Sequence, residues 1–449
     1  MTKDLRHAID GFREAGKIQD IAKEVNCEYE LAGVYRKLDG EKAVVFNNIK
    51  EYETPVVSGM LSNKRYLASL MNVDPSDPMN LTHRMEEVYA GDILPVQTPT
   101  GPCKENIVTR DIDIVKHVPV IKAAYGDKGR YITAGLVVTK DPETNLHNFS
   151  IHRICISEND KDKALLHIDK NRSLGMMLKK AAQSEKDLEI AVVIGVHPLL
   201  LVAAISKGRL KSDKYGLAGN LLNEPVELVK AETVDLLIPA HSEFVLEGIL
   251  TSRESHMEGP FQEYPGTYSI VSPAPSFNVS CITHRNNPVY YTIIGGTESH
   301  ILRGVQGEYV IYNAARAISS IVQGVHITIG SLARHHAIIQ IKKENPDHEG
   351  LQINIMYGVL GAMREIDLVI VVDDDIDIQN LQEVEWAIAT RFDASKDLLY
   401  FGKARSHEII PVTDDGIRGK IGMDATAPFD KKDKFQRAQF FDAHLKDYL

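Results

Sequence analysis

The last third of the chain alternates apolar strands with amphipathic helices, and this pattern limits the fold more than any other feature. Short apolar runs at 335–341 and 367–372 alternate with segments of helical spacing at 350–363 and 380–392, after a helix-like segment that begins at Gly307. A strand that is apolar on both faces has to be covered on both, and helices in the crossovers provide that cover. The region therefore predicts βαβ units.

The region before it is rich in predicted strands. Two β-prone runs at 130–140 and 145–157 flank the turn sequence DPET and predict a hairpin, and a run at 276–294 predicts a second hairpin around Asn286 and Asn287. The N-terminal part mixes helical periodicity with a short strand. A chain of 449 residues is too long for one ordinary core. The sequence thus predicts an α/β (α+β) protein of two or three domains.

Charge, apolar runs and cysteine usage limit the binding partners and the cellular compartment that the sequence predicts. The formal net charge is −11, which argues against nucleic acid or an anionic membrane as a partner. No apolar run reaches the ~18 residues that a membrane-spanning helix needs. The N-terminus reads as an amphipathic helix, and not as a signal peptide, because it lacks an apolar core. The four cysteines are far apart, as expected of reduced thiols in a cytoplasmic protein.

The segment Glu258-Gly-Pro-Phe-Gln-Glu263 is the most informative local feature. Two carboxylates bracket a Gly-Pro turn that fits neither a regular helix nor a central strand. If both carboxylates face one pocket, their repulsion raises the pKa of one of them, which makes a general acid near neutral pH. A solvated acidic turn is the alternative.

A second feature is Asn148-Phe-Ser-Ile-His-Arg153. At the period of two of a strand, Arg153 shares a face with Phe149 and Ile151. An arginine on an apolar face has to be paired if it is buried. A glutamate of the 258–263 segment is a reasonable partner, and an outward-pointing arginine at a strand end is the alternative.

The acidic run Asp373, Asp374, Asp375 and Asp377 follows a predicted buried strand. Four carboxylates at such a place are compatible with magnesium or manganese. They also directly precede a helix start, where acidic side chains are stabilised by the positive end of the helix dipole. We favour the capping and turn role for them.

Five motifs in one order resemble the UbiD-type decarboxylases, and among them the furan dicarboxylate decarboxylases. They are N-x-x-I-H-R at 148–153, E-G-P-F-x-E at 258–263, VVDDDID at 371–377, EVEWAIATR at 383–391 and KIGMDAT at 420–426. The resemblance implies an N-terminal α/β domain, a split β-barrel of the flavin-reductase type, a C-terminal α/β domain and a docking helix. We place these at 1–105, 106–305, 306–430 and 431–449.

The resemblance also implies roles for individual residues. Arg153 would hold the substrate carboxylate beside prenylated FMN, Glu258 would pair with Arg153, and Glu263 would deliver a proton to the carbon that loses CO2. The cofactor supplies the electron sink. The residues implied to line it are Asn148, Ile151, His152, Arg153, Asn171, Arg172, Ser173 and Lys214.

The chain departs from the family pattern around the cofactor phosphate. The resemblance implies Mn²⁺ and K⁺ bound by an Asn, commonly a His, and a Glu, but only Asn148 is present as a candidate ligand. Lys214 stands where the family pattern has a glutamate, and Asp367 stands where it has a lysine. The segment that would carry the histidine, Lys170–Ser173, contains none. We hypothesise that the charges are exchanged, with Lys214 contacting the phosphate or pairing with Asp367, so that metal dependence is altered or absent.

His300 and Arg303 follow a predicted strand where family members place ring-contacting side chains, and they suggest a substrate with a second anionic group. Furan-2,5-dicarboxylate or a phosphorylated unsaturated acid would fit, and a surface position for Arg303 is the alternative. Other functions left open are a carboxylase subunit of a larger complex and a non-catalytic flavin-binding scaffold. The implied partners are the acid substrate, CO2, a flavin prenyltransferase that supplies the cofactor, and further copies of the chain in a dimer or hexamer.

Overall fold

The structure of the protein is a computed structural model that describes residues 3–206, 213–438 and 441. The chain divides into two compact units, Met1–Gln306 and Gly307–Leu449. The long helix α9, Thr297–Ile318, begins in the first unit and ends in the second. It begins ten residues before Gly307, where the sequence predicted the start of a helix. The predicted boundary at residue 105 stays a prediction.

The elements of the first unit are as follows. Its helices are α1 Leu5–Glu14, α2 Glu30–Tyr35, α3 Lys64–Leu70, α4 Met79–Ala90, α5 Ile114–His117, α6 Ser173–Gln183, α7 Pro198–Ile205, α8 Lys214–Leu222 and the start of α9 Thr297–Ile318. Its strands are β1 Ile18–Ile21, β2 Ala43–Phe46, β3 Val56–Ser58, β4 Val96–Gln97, β5 Asn106–Val108, β6 Tyr131–Ile132, β7 Leu136–Lys140, β8 His147–Ile151, β9 Ile154–Ile156, β10 Lys163–Leu166, β11 Leu188–Ile194, β12 Glu227–Lys230, β13 Leu237–Pro239, β14 Phe244–Glu258, β15 Ser272–His284 and β16 Tyr290–Tyr291.

A large antiparallel sheet forms the centre of the first unit. Its strand order is β6-β9-β10-β15-β14-β11-β7-β8, and β5 pairs with β15. β7 and β8 pair antiparallel, which confirms the first predicted hairpin. The long strands β14 and β15 carry the segment between Glu258 and Ser272 at their joined ends. Smaller sheets, β1-β2-β3-β16 and β13-β12-β4, complete the unit.

The second predicted hairpin, around Asn286 and Asn287, is wrong. β16 leaves β15 and pairs in parallel with β3 in the N-terminal sheet. Asn287 has a φ of 47°, in the left-handed region, which turns the chain away. The two tyrosines of β16 are fully buried in the N-terminal sheet. Burial of their rings therefore stabilises the pairing of β16 with β3.

The second unit contains the predicted βαβ units. Its elements are β17 Val322–Ile327, β18 His336–Ile341, α10 Leu351–Ala362, β19 Leu368–Asp373, α11 Leu381–Arg391, β20 Leu398–Arg405 and β21 Ile417–Ala425. The sheet order is β17-β18-β19-β21-β20, with β18, β19 and β21 parallel. The mixed α/β architecture with a central antiparallel sheet confirms the predicted fold class.

The acidic run at the end of β19 is held by an arginine of α11. Arg391 donates to Asp373 at 2.7 Å and to both oxygens of Asp375 at 2.9 and 2.6 Å. Asp377 accepts from the backbone of Gln379 at 2.9 Å, which is a turn role. In the described residues these carboxylates therefore serve a structural ion pair and a turn.

The tail forms a short 3₁₀ segment at Phe429–Phe435 and continues without helix to residue 438. Most of the docking helix predicted for 431–449 lies outside the described residues. In the part of the chain that the structure describes, no helix is long and apolar enough to span a bilayer.

Candidate active site

A break between two strands of the large sheet places Arg153. β8 ends at Ile151 and β9 begins at Ile154, so His152 and Arg153 lie in the break. The prediction that one strand runs through Arg153 is wrong at this point, because the chain must change partners from β7 to β10. The break aims the guanidinium into the protein, where 7% of the side chain is exposed.

The loop between β14 and β15 places the two carboxylates. β14 ends at Glu258, and Gly259 follows with a φ of 90°, a conformation that favours glycine. Asp127 accepts from the backbone of Gln262 at 2.7 Å, and the backbone of Glu263 donates to the carbonyl of Thr267 at 2.9 Å. These bonds hold the loop so that Glu263 returns toward Arg153.

Arg153 lies between the two glutamates. Its Nη2 and Nε donate to the two oxygens of Glu258 at 2.7 and 3.2 Å, and its Nη1 contacts Glu263. The Glu258 side chain is fully buried and that of Glu263 is 14% exposed. The structure therefore contains a buried, paired arginine, and the solvated acidic turn and the outward-pointing arginine are both wrong.

Glu258 is ionised at neutral pH. Burial by itself would raise its pKa, but hydrogen bonds from His167 and Arg153, the charge of Arg153 and the Tyr131 hydroxyl lower the pKa to about 2. The Tyr131 hydroxyl donates to Oε1 at 2.9 Å, and burial keeps the pKa of that tyrosine above its usual range. The expected rise in pKa from repulsion does not occur at Glu258, because its donors outweigh it.

The sequence analysis missed Tyr131 and His167 at this centre, and it assigned no role to Phe261 of the E-G-P-F-x-E motif. β10 pairs with β9, and the backbone of His167 donates to the carbonyl of Arg153 at 3.2 Å. The Phe261 ring lies 5.3 Å from the guanidinium carbon, within cation–π distance. No spacing pattern points to Tyr131 or His167, since strand pairing brings them to Arg153, whereas Phe261 lies in the loop between Glu258 and Glu263.

The structure brings Lys214, a predicted cofactor residue, to β8. Its ammonium donates to the carbonyls of Phe149 and Ala204 at 2.8 and 2.6 Å, and burial lowers its pKa to about 7. An ammonium has three N–H groups. The third has no acceptor among the described residues.

His152 is held as a neutral ring. Its Nδ1 donates to the carbonyl of His167 at 3.1 Å, and the Ser150 hydroxyl lies 2.8 Å from Nε2. Burial lowers the pKa of His152 to about 4. Asn148 and Ile151 are half-buried in the neighbouring strand.

The other predicted cofactor residues lie at the first turn of α6. Asn171, Arg172 and Ser173 are exposed, and Arg172 provides no side-chain cap to the helix. Three residues separate Asn171 from His167, so this turn follows directly on the strand end beside Arg153. The backbone N–H groups of a helix start are suited to an anion.

The predicted substrate residues lie one turn apart on α9, and both are half-buried. His300 Nε2 donates to the carbonyl of Tyr264 at 2.8 Å, directly after Glu263. Arg303 donates to the side chain of Gln306. The structure thus brings His300 to the loop that carries the candidate acid.

Asp367 is held in the second unit by His335 at 2.9 Å and Arg418 at 3.1 Å.

Models of three domains of 3-octaprenyl-4-hydroxybenzoate carboxy-lyase match consecutive parts of the chain. The N-terminal domain matches residues 9–84, the Rift-related domain 95–298 and the C-terminal domain 300–425. The chain belongs to the UbiD family. The prediction of a UbiD-type carboxy-lyase is confirmed, and the chain is an enzyme of the decarboxylase class.

Individual UbiD relatives match over almost the whole chain. The anhydromevalonate phosphate decarboxylase of Methanothermobacter thermautotrophicus is 31% identical over 435 residues, which cover 96% of this chain and 99% of that protein. The FMN complex of the UbiD-class enzyme HmfF from Pelotomaculum thermopropionicum superposes with a TM-score of 0.94 at 34% identity, covering 99% of this chain and 100% of that one. An evolved dimeric form of HmfF with prFMN has a TM-score of 0.91 at 33% identity and covers all of both chains.

Proposed function

We propose that this UbiD-type enzyme removes CO2 reversibly and without oxidation from a small aromatic, heteroaromatic or α,β-unsaturated acid that carries a second anionic group, using prenylated FMN. The observation that carries the proposal is the position of Arg153, clamped between the buried Glu258 and the partly exposed Glu263. Furan-2,5-dicarboxylate is the substrate that we infer.

Arg153 and Glu258 would form the binding part of the centre. Glu258 remains an anion because its pKa is about 2, so it orients the guanidinium and does not carry a proton near pH 7. The Nη1 end of Arg153, which contacts Glu263, is the end that a substrate carboxylate would approach. Arg153 would then hold that carboxylate by a charge-assisted hydrogen bond.

Glu263 would be the proton carrier. It is the more exposed of the two carboxylates, at 14%, and its loop is held by backbone hydrogen bonds on both sides. Once CO2 leaves, a proton on a Glu263 oxygen passes to the carbon that held the carboxylate. The Phe261 ring beside Arg153 would help to keep water from that carbon.

The residues around β8 fit the phosphate of a flavin. The buried ammonium of Lys214 has one N–H group without an acceptor among the residues that the structure describes, and the exposed start of α6 offers backbone donors. Prenylated FMN, when bound, supplies the electron sink for the loss of CO2, and the FMN and prFMN complexes of HmfF support this choice. The residues that would hold it are Asn148, Ile151, His152, Arg153, Asn171, Arg172, Ser173 and Lys214.

The same residues do not fit a divalent metal. Beside Asn148, Lys214 presents N–H donors where a metal requires a lone-pair ligand. Among the described residues, no group of three His, Cys, Asp or Glu side chains could hold an ion. We therefore infer that Lys214 takes over the phosphate contact in place of a metal ion.

A second anionic group on the substrate would be recognised by α9. His300 and Arg303 lie on one face of the helix, and His300 is bonded to the loop of Glu263. A phosphorylated unsaturated acid is the second candidate, and it is favoured by the similarity to an anhydromevalonate phosphate decarboxylase. Both candidates place an anion opposite the carboxylate that is lost.

The test is co-expression with a flavin prenyltransferase, followed by an absorbance spectrum and a measurement of CO2 release. The panel contains furan-2,5-dicarboxylate, 2-furoate and anhydromevalonate phosphate. We expect release from the diacid by the isolated chain and little from 2-furoate. Failure to bind prenylated flavin would overturn the proposal, and activity only in the presence of other subunits would indicate a carboxylase component of a complex.

A further inference from the structure

The loop that carries Glu263 is itself a small hairpin. Gln262 and Tyr268 face each other as an antiparallel pair. Beyond this pair the backbone N–H of Glu263 donates to the carbonyl of Thr267 at 2.9 Å, and that of Gly266 donates to the carbonyl of Glu263 at 2.9 Å. Glu263 thus begins the turn of the hairpin, and Gln262 and Tyr268 are the last pair before it. The position of the Glu263 carboxylate therefore depends on where this pair is held.

Two neighbouring residues of another loop hold this last pair, one on each arm of the hairpin. The Asp127 carboxylate accepts from the backbone of Gln262 at 2.7 Å, and the backbone N–H of Gly126 donates to the Tyr268 hydroxyl at 3.0 Å. A Cβ atom on Gly126 would lie 2.5 Å from the Tyr268 ring, so the two loops approach this closely only with a glycine there. Gly126 and Asp127 therefore bind both arms directly before the turn at Glu263.

The Asp127 side chain uses both of its oxygens in this loop contact. Oδ1 accepts from Gln262, and Oδ2 accepts from the backbone of Ala124 at 2.9 Å. The residue is 3% exposed, and no cationic side chain forms an ion pair with it among the described residues. Burial raises the pKa of its carboxyl above the ordinary value, which reflects the cost of placing an unpaired charge there. An asparagine has the same size but one acceptor oxygen, so in this arrangement it could bind only one of the two N–H groups.

We propose that Asp127 is a positioning residue for proton transfer, which fixes the Glu263 carboxylate next to Arg153 through the hairpin. The inference rests on the proposed function, since it takes Glu263 as the proton carrier. Among the described contacts Asp127 has none with Arg153 or Glu258, so its effect on the reaction passes through the hairpin. A misplacement of about 1 Å lowers a rate by as much as about 10²-fold. The ion pair of Glu258 with Arg153 uses no atom of the turn, so substrate binding should be spared.

Asp127→Asn in the loaded enzyme tests the role by separating kcat from KM. The assay uses the acid of the panel that the wild type decarboxylates fastest, so it does not depend on the diacid being the substrate. We expect kcat to fall about 10–100-fold and KM to stay within about threefold, since the carboxylate site at Arg153 is intact. Asp141→Asn, which alters two backbone bonds in the turn between β7 and β8, is the matched control and should keep kcat. A normal kcat in Asp127→Asn, or a rise in KM alone, would overturn the inference.

A double-mutant cycle distinguishes positioning of Glu263 from a general structural role. If Asp127 acts through Glu263, Asp127→Asn should lower the residual kcat of the Glu263→Gln enzyme by less than about threefold. Equal losses in the two backgrounds would exclude the role. Gly126→Ala provides a second variant should Asp127→Asn fail to fold, because the Tyr268 ring is half exposed and can move outward. It should show the same loss of kcat, absent in the Glu263→Gln background.

Amide hydrogen exchange, followed by mass spectrometry on the enzyme without substrate, tests the contact independently of activity. In Asp127→Asn we expect exchange at the backbone N–H groups of Gln262 and Glu263 to be at least about tenfold faster, while exchange in β14 stays as in the wild type. Unchanged exchange would overturn the inference whatever the substrate. Failure of the wild type to decarboxylate any acid of the panel would overturn the proposed function, and the exchange result would then still decide whether Asp127 holds the hairpin.

Discussion

Arg153 and Glu258 form a two-pronged ion pair in which both carboxylate oxygens are bound, at 2.7 and 3.2 Å, and the carboxylate is fully buried. Burying two charges costs desolvation energy that such a pair only partly offsets. A pair of this kind is therefore weak support for stability. Its use is to hold one guanidinium in one orientation, with its other end toward Glu263.

Glu263→Gln tests the assignment of the proton carrier. We expect kcat to fall by about 10²–10⁴-fold, since a glutamine occupies the same space but has no acidic proton. The midpoint of thermal unfolding should change little. Glu254→Gln, in a partly exposed pair with Lys163, is the matched control and should retain activity. A Glu263→Gln enzyme with normal kcat would transfer the role to another group.

Glu258 should make stability depend on acid pH. Its pKa in the folded protein is about 2, below the ordinary 4.5, so its contribution is present above pH 4.5 and is lost as the pH falls toward 2. The difference corresponds to about 3 kcal/mol at most. Urea unfolding between pH 6 and 3 should show a shallower loss of stability in Glu258→Gln than in the wild type. Identical slopes would show that Glu258 does not titrate in this way.

Lys214 should replace the metal. Under the proposed contact between the Lys214 ammonium and the cofactor phosphate, dialysis of the wild type against a chelator should leave flavin binding and activity unchanged. Lys214→Met should weaken FMN binding by about tenfold, the loss of one charge-assisted contact. Lys214→Glu should recover binding only when MnCl2 is added. Stoichiometric manganese in active wild-type enzyme would contradict this assignment.

Arg303 should recognise the second anion. Arg303→Ala should raise KM for furan-2,5-dicarboxylate by about tenfold or more, since a charge-assisted hydrogen bond is lost. KM for a monoacid should be unaffected. Arg65, which is exposed on α3, offers the matched Arg65→Ala control. Full activity of Arg303→Ala on the diacid would exclude this role.

Arg391 should matter for folding and not for the reaction. Its guanidinium is 2% exposed and binds Asp373 and Asp375, so Arg391→Met leaves a buried carboxylate without its partner. We expect a loss of about 3–5 kcal/mol in the free energy of unfolding. Added Mg²⁺ or Mn²⁺ should not restore it. If either metal restored the stability of Arg391→Met, the acidic run would be a metal site and not a structural ion pair.

Much of the architecture could be predicted from local pattern. The helices α10 and α11, the β7–β8 hairpin and the strands β18 and β19 follow from apolar spacing and turn residues. These features depend on neighbours in the chain, so a pattern of a few residues contains them. The pairing partner of β16 does not follow from a local pattern. The predicted hairpin around Asn286 and Asn287 was wrong because burial in a distant sheet outweighed the local turn signal.

The candidate site divides in the same way. The sequence by itself singled out Arg153, Glu258 and Glu263 as candidate site residues, through the pair of carboxylates around a Gly-Pro turn, the arginine on a β-prone segment and the resemblance of both motifs to the UbiD family. Only the tertiary structure decided that Arg153 is clamped by both glutamates and that Tyr131 and His167 complete the set of donors. The physical reason is that hydrogen bonds act over about 3 Å, and strand pairing brings such residues together from positions more than a hundred residues apart.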